Sequence, residues 1–84
     1  MYTILWTKKA IRQLDSLSTS VAKRIVQSIE ILKNNPYECD IKKLIGFPFF
    51  RLRVGDYRVI FSIDKDLIQI LILNVGHRNK IYEK

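Results

Sequence analysis

Residues 49–63 (FFRLRVGDYRVIFSI) constrain the fold of this chain more than any other segment. Apolar side chains alternate with basic or other side chains in two runs, one on either side of Gly55-Asp56. Glycine supplies the positive φ that two-residue hairpin turns need, so the pattern predicts a β-hairpin with Gly55-Asp56 at its tip. The predicted register pairs Val54 with Tyr57, Arg53 with Arg58, Leu52 with Val59, and Arg51 with Ile60.

This hairpin has one apolar face and one basic face, because successive side chains of a strand point to opposite sides. The apolar face consists of Leu52, Val54, Tyr57, Val59, Phe61 and Ile63. The basic face, which we call the arginine face, carries Arg51, Arg53 and Arg58. Like charges opposite one another in a β-ladder are destabilising, so this cluster predicts an anionic ligand. The alternative is a solvated outer face whose repulsion is screened by salt.

Composition predicts one small globular domain over residues 1–84, with 48% hydrophobic and 27% charged residues. Fifteen Lys and Arg against eight Asp and Glu give a net charge of +7 and a pI of about 9.8. This balance favours a polyanionic partner. A membrane surface is less favoured, because the basic residues are interleaved along strands and not aligned on one amphipathic helix. The chain has no signal-peptide pattern and no bilayer-spanning apolar run, so a cytoplasmic location is expected.

The chain offers no recognisable metal or cofactor site. A single cysteine excludes an internal disulfide, and with only one histidine a Cys/His metal site is excluded as well. Cys39 lies between Glu38 and Asp40, whose carboxylates raise a thiol pKa, so we predict a passive loop cysteine. Glycine-rich phosphate-binding loops, zinc-protease motifs and nucleophile elbows are absent from the sequence.

The remaining segments predict the element order β-α-α-β-β-β. Residues 2–6 are rich in β-formers, and two helices follow, the second ending at Asn34-Asn35-Pro36. Residues 37–48 are predicted as an irregular loop. Residues 67–75 are apolar on both faces, which is typical of a central strand buried on both sides.

These elements predict an α+β fold. It has a mostly antiparallel four-stranded sheet, with a helical hairpin packed on one face and the first strand at a sheet edge. The helices can only cover the apolar face of the main hairpin, so the arginine face is expected to stay open.

The candidate catalytic residues suit cleavage of an RNA phosphodiester without a metal. They are Arg51, Arg53, Arg58, His77, Arg78 and Tyr82. Guanidinium groups bind phosphate bidentately and stabilise charge that develops on its non-bridging oxygens while the 2′-hydroxyl attacks. Tyr82 can stack on a base. Arginine is a poor base, so His77 is the candidate for proton transfer.

Each of these candidates has a structural alternative. His77 can serve as a hydrogen-bonding residue at a strand end, and Tyr82 as an apolar clasp for the C-terminus. Arg78 and Lys80 can form a solvated tail. The aromatic residues Trp6, Phe47, Phe49 and Phe50 are predicted to be core or partner-facing and not substrate-stacking.

Three stretches of the chain resemble the RelE/ParE superfamily of toxin–antitoxin toxins, and its RelE branch in particular. They are Lys43-Leu44 with Gly46, residues 51–61 (RLRVGDYRVIF), and Val75-Gly76-His77-Arg78 with Tyr82. The likeness extends over essentially the whole chain. It implies a ribosome-dependent endoribonuclease that cuts mRNA in the A site and inhibits translation. It also implies a RelB-like antitoxin that wraps the toxin and blocks it.

By position, the resemblance implies a role for each candidate. Arg51 and Arg53 match a basic pair that contacts the scissile phosphate, and Arg58 matches a phosphate ligand. Arg78 matches the residue that stabilises or protonates the leaving group, and Tyr82 matches an aromatic that orients the mRNA base. Arginine replaces lysine where some members place a general base, which strengthens the assignment of His77 as the general base. Further substrate-binding cations are predicted at Lys42, Lys43 and Lys80.

Two rival functions remain open from the sequence. A ParE-like toxin has the same fold and an antitoxin but acts on a protein such as DNA gyrase. A basic nucleic-acid-binding module would bind in a salt-dependent manner without cleavage. The arginines together with Tyr82 favour the nuclease, because a protein-directed toxin has no phosphate for them to hold.

Overall fold

The computed structural model of the chain describes residues 1–77. Within this range, two α-helices and a single 3-10 turn accompany a five-stranded sheet. In chain order the elements are β1 (Thr3–Trp6), α1 (Lys8–Asp15), α2 (Thr19–Asn34), the 3-10 turn Pro36–Glu38, β2 (Ile41–Lys43), β3 (Phe50–Val54), β4 (Tyr57–Asp64) and β5 (Gln69–His77).

The sheet has the strand order β1-β5-β4-β3-β2. β1 is parallel to β5 and lies at one edge, as predicted, whereas the other pairs are antiparallel. The fold is α+β with both helices on one face, but the sheet has five strands where the sequence predicts four. The additional strand, β2, lies in a segment predicted as irregular. It pairs with β3, with Ile41 opposite Leu52 and Lys43 opposite Phe50.

The main hairpin has the predicted register at every pair from Arg51 with Ile60 to Val54 with Tyr57. Gly55 has a φ of +61° and Asp56 has a negative φ, which is the pattern of a turn with glycine at its first central position. A Cβ at Gly55 would lie 2.8 Å from Nη2 of Arg24 on α2. The positive φ therefore favours glycine at this position, whereas the flexible end of the Arg24 side chain can move aside.

The helices begin at side-chain caps and bury one apolar stripe each. Thr7 accepts a hydrogen bond from the backbone N–H of Ala10, and Ser18 accepts one from that of Val21. The buried core joins both helices to the helix-covered face of the sheet, and it consists of Ala10, Ile25, Ile29, Leu32, Leu52, Val54, Val59, Phe61, Ile70, Ile72 and Val75. No helix within residues 1–77 has the length and apolar character needed to cross a bilayer.

β5 lies inside the sheet, between β1 and β4. The sequence predicted that both faces of this strand are buried, but only one of them is. Its buried residues are Ile70, Ile72 and Val75, whereas Leu71 and Leu73 are half-buried. The helices cover only one face of this strand. Apolar residues on both faces of β5 therefore do not indicate that a layer of structure covers each face.

A β-bulge in β5 is stabilised by α1. Ile60 pairs with Asn74 and Phe61 with Ile72, so Leu73 is the extra residue. β1 ends beside Ile72, and beyond that point the edge of β5 has no neighbouring strand among residues 1–77. There the backbone N–H of Val75 donates to Oε1 of Gln13 over 2.8 Å. One helix side chain thus replaces the missing ladder bond.

We expect Gln13→Ala to destabilise the fold by about 1 kcal/mol, because it removes the acceptor of this partly buried N–H. For a chain of this size that corresponds to a fall in Tm of about 4–8 °C, measurable by thermal unfolding. Gln27→Ala on the exposed face of α2 is the matched control. Equal Tm values for the two variants would show that the bond to Val75 adds no stability.

Candidate nucleic-acid interface

The arginine face is the side of the sheet away from the helices. Arg53 on β3 is directly opposite Arg58 on β4, and Arg51 lies two residues earlier on β3. Directly opposite residues in an antiparallel pair have Cα atoms about 4.5–5.5 Å apart. The hairpin therefore holds three guanidinium groups on one surface, on rigid backbone.

The three arginines differ in burial. Arg58 is 8% exposed, Arg51 is half-buried and Arg53 is exposed. Ile60, on the same face, is buried at 5% exposure. Burial strengthens the attraction of a guanidinium to an anion because less water screens the charge. Arg58 is therefore the least solvent-screened of the three guanidinium groups.

Neighbouring strands extend the arginine face on both sides. Lys42 of β2 is opposite Arg51 and points to the same side. On β5, Gly76 is opposite Arg58, and Asn74 is opposite Ile60. β5 itself thus contributes no side chain beside Arg58. Among residues 1–77, these strands place four cations and one amide on this side of the sheet.

Two predicted site residues lie on the opposite, helix-covered face. Lys43 pairs with Phe50, so its side chain points away from the arginines. His77 pairs with Tyr57, and the two rings meet edge to face with centroids 5.4 Å apart. His77 therefore lies on the face opposite the three arginines. The reason is that β5 continues through His77, and neighbouring residues of a strand point to opposite faces.

The predicted roles of Arg78, Lys80 and Tyr82 concern residues outside the described range 1–77.

Two aromatic residues, Phe47 and Phe49, lie together outside the core, although the sequence predicted core or partner contacts for them. The rings of Phe47 and Phe49 are parallel, with centroids 6.4 Å apart. Neither residue belongs to the buried core or to the side chains packed against it. The alternation of residues 49–54 in the sequence was the available signal, because it predicts Phe49 on the same side as Arg51.

The surroundings of Cys39 favour its neutral thiol form. Burial raises its pKa, and the nearby Glu38 carboxylate raises it further. The sequence predicted this direction, although it named only the neighbouring carboxylates as the cause. The thiol donates a hydrogen bond to the backbone oxygen of Asn35 over 3.6 Å. A thiol held protonated in this way is a poor nucleophile.

Because Arg53 and Arg58 are directly opposite each other, we expect a trade-off between the stability of the fold and the binding of an anionic ligand. We expect Arg53→Thr to stabilise the chain by about 0.5 kcal/mol at low salt, since it removes a like-charge cross-strand pair. Threonine fits a strand, and the gain should shrink as salt screens the repulsion. Urea unfolding at low and high salt measures it. Lys43→Thr, with the same charge change on the other face, is the control. A gain that does not depend on salt would contradict the repulsion.

The sequence matches the family described as the ParE toxin of type II toxin–antitoxin systems (parDE) over residues 4–82. Among curated proteins, the chain is similar to Toxin RelE3 of Methanocaldococcus jannaschii. The two are 33% identical over 85 residues, which cover 95% of this chain and 94% of that protein.

Solved structures share the fold. A chain of the archaeal RelE–RelB complex from Pyrococcus horikoshii OT3 superposes with a TM-score of 0.80 at 30% identity, covering 94% of this chain and 97% of that one. A chain of the toxin–antitoxin complex RelBE2 from Mycobacterium tuberculosis gives a TM-score of 0.84 at 30% identity, covering 92% and 98% respectively. The sequence match and the shared fold agree over nearly the full length, and this chain belongs to the RelE/ParE superfamily of type II toxin–antitoxin toxins.

Proposed function

We propose that this toxin is a ribosome-dependent endoribonuclease that cleaves mRNA in the A site and so inhibits translation. The observation that carries the proposal is the arginine face, where Arg51, Arg53 and Arg58 lie together on the side of the sheet without helices. Relatives with RelE names, at 33% and 32% identity, also support it.

The proposed reaction is an internal phosphoryl transfer. The 2′-oxygen of one nucleotide attacks the adjacent phosphorus, and the bond from phosphorus to the 5′-oxygen breaks. The products are a 2′,3′-cyclic phosphate and a 5′-hydroxyl, so one proton leaves the 2′-hydroxyl and one is delivered to the 5′-oxygen. Arg58, Arg53 and Arg51 bind the non-bridging oxygens and stabilise the charge that develops on them.

The resemblance assigns two further roles within this proposal. Arg78 stabilises or protonates the leaving 5′-oxygen, and Tyr82 stacks on the base beside the scissile phosphate. Lys42 adds a phosphate contact next to Arg51, whereas Lys43, on the other face, does not contact the same phosphate.

Proton transfer by His77 does not form part of the proposed mechanism, because its ring contacts Tyr57 on the far side of the sheet. We expect His77→Ala to leave the cleavage rate within about 5-fold of wild type while lowering stability by about 0.5–1.5 kcal/mol, the range for aromatic pairs. Single-turnover cleavage and urea unfolding on the same preparation test both parts. A fall in rate of about 100-fold or more, as for a lost general base, would restore the catalytic role.

A RelB-like antitoxin is the proposed partner that inhibits the toxin. The structural relatives include RelE–RelB complexes from Pyrococcus horikoshii and Methanococcus jannaschii, whose matching chains are 30% and 31% identical to this one. The net charge of +7 suits an acidic inhibitor segment that neutralises the arginine face.

Induced expression followed by primer extension on cellular mRNA tests the proposal. Cuts at A-site codons within translated regions are the expected result. A second candidate is ParE-like action on DNA gyrase, which the ParE family match favours. Arrested replication with intact mRNA would overturn the nuclease in favour of that toxin. RNA binding without either effect would indicate a non-catalytic module.

A further inference from the structure

The aromatic pair Phe47 and Phe49 lies at the end of the arginine face. Phe47 is 55% exposed, Phe49 is half-buried, and their ring planes are within 5° of each other. An aromatic ring held at a protein surface offers a flat apolar face for stacking. The pair is therefore a candidate binding surface.

The β2–β3 loop positions this pair through a defined turn. The backbone N–H of Phe47 donates to the oxygen of Leu44 over 3.4 Å, and the N–H of Leu44 donates to the oxygen of Phe49 over 2.9 Å. Gly46 has a φ of +83°, as the third residue of a type II turn requires. The loop thus presents Phe47 from an ordered hydrogen-bonded frame.

The aromatic pair continues the row of cations along β3. The bond from the N–H of Leu44 to the oxygen of Phe49 continues the β2–β3 ladder one pair beyond the start of β3 at Phe50. Alternation along this extended backbone places Phe49 on the side of Arg51 and Arg53, with about 6.8 Å between successive members. Lys42 lies opposite Arg51 on the same side. The backbone oxygen of Asp40 accepts from the N–H of Arg53, so this carboxylate residue lies at the end remote from the aromatic pair. Rings and cations therefore form one continuous surface.

Cationic side chains that follow a backbone, next to rings that stack on bases, are the combination by which proteins hold single-stranded RNA. We propose that Phe47 and Phe49 form a stacking platform for one base of the RNA strand whose scissile phosphate is bound by the arginines. Lys42, which lies opposite Arg51 on β2, binds a phosphate beside that arginine. This inference rests on the proposed function, since that identifies the strand as mRNA.

The test uses a short single-stranded RNA that carries one 2-aminopurine, whose fluorescence falls when it stacks on an aromatic ring. We expect the purified wild-type chain to quench the probe. Phe47→Ala is expected to lose the quenching and to bind about 5- to 150-fold more weakly, the range that base–aromatic stacking supports. Phe47→Trp should retain both properties. Ile45→Ala, at the neighbouring loop position that is 96% exposed, is the matched control and should bind like wild type.

Salt dependence separates the platform from the cations. Phe47→Ala should leave the slope of log affinity against log salt unchanged, whereas Lys42→Ala should reduce it by about 0.7, the value for one contact to single-stranded nucleic acid. If Phe47→Ala quenches the probe and binds RNA as the wild-type chain does, the proposed stacking platform is contradicted. So would a Phe47→Ala variant that binds RNA normally but no longer copurifies with its antitoxin, since the pair would then be a protein-docking surface.

The readout distinguishes this inference from the proposed function. Quenching that depends on Phe47, without cleavage on ribosomes, would remove the nuclease and retain the platform. Cleavage on ribosomes together with unchanged RNA binding by Phe47→Ala would remove the platform and retain the nuclease.

Discussion

The Arg58→Ala variant is expected to cleave ribosome-bound mRNA about 100- to 1000-fold more slowly than the wild-type chain, the usual effect of removing one preorganised donor to a developing oxyanion. Arg58 is 8% exposed and lies opposite Arg53 in the middle of the arginine face. Because its charge is little screened by water, its attraction to the phosphate strengthens as the phosphate gains charge. Single-turnover cleavage on programmed ribosomes, read by primer extension, measures the effect.

Two control variants isolate the role of the guanidinium. Arg12→Ala removes the same charge from an exposed position on α1 and should leave the rate unchanged. Arg58→Lys keeps a charge but lacks the planar fork, so its rate should fall between those of wild type and Arg58→Ala. A folded Arg58→Ala protein that cleaves within about 3-fold of wild type would end the assignment of Arg58 to the transition state.

The Phe61→Ala variant is expected to lose about 3–5 kcal/mol of stability. Phe61 is fully buried and stacks on Phe50 with ring centroids 5.8 Å apart. It also pairs with Ile72 of β5, next to the bulge at Leu73. Small domains have only about 5–15 kcal/mol of stability in total, so this one truncation should leave the chain marginally folded. Urea unfolding followed by circular dichroism measures the change.

Phe47→Ala is the matched control for this experiment, because it removes the same side chain from a position that is 55% exposed. It should stay within about 0.5 kcal/mol of wild type, as surface substitutions usually do. A similar loss for both variants would contradict the placement of Phe47 outside the core. The same control shows that weaker RNA binding by Phe47→Ala does not arise from unfolding.

The main hairpin was fully predictable because its determinants are local. Gly55 specifies the turn, and the turn specifies every pair from Val54–Tyr57 to Arg51–Ile60. Alternation then separates the apolar from the basic face without reference to the rest of the chain. The helix cap at Thr7 was predictable for the same reason, since a cap depends on residues within one turn.

Elements that depend on distant partners were missed. β2 has only three residues, and its sequence Ile-Lys-Lys has no strand periodicity of its own. It forms because β3 offers a free edge beside it. The bulge at Leu73 and its support by Gln13 depend on where β1 ends, a relation across 62 residues that no local pattern records.

The residues alone specified that three arginines share one side of a hairpin, since alternation along a strand and one glycine turn are sufficient for that. Tertiary packing decided how deeply Arg58 is buried and which neighbours complete the arginine face. It also placed His77 against Tyr57, because the register between β4 and β5 sets these two residues opposite each other. A one-residue shift in register, such as the bulge at Leu73, moves every following side chain to the opposite face of the sheet, and only the completed sheet specifies that shift.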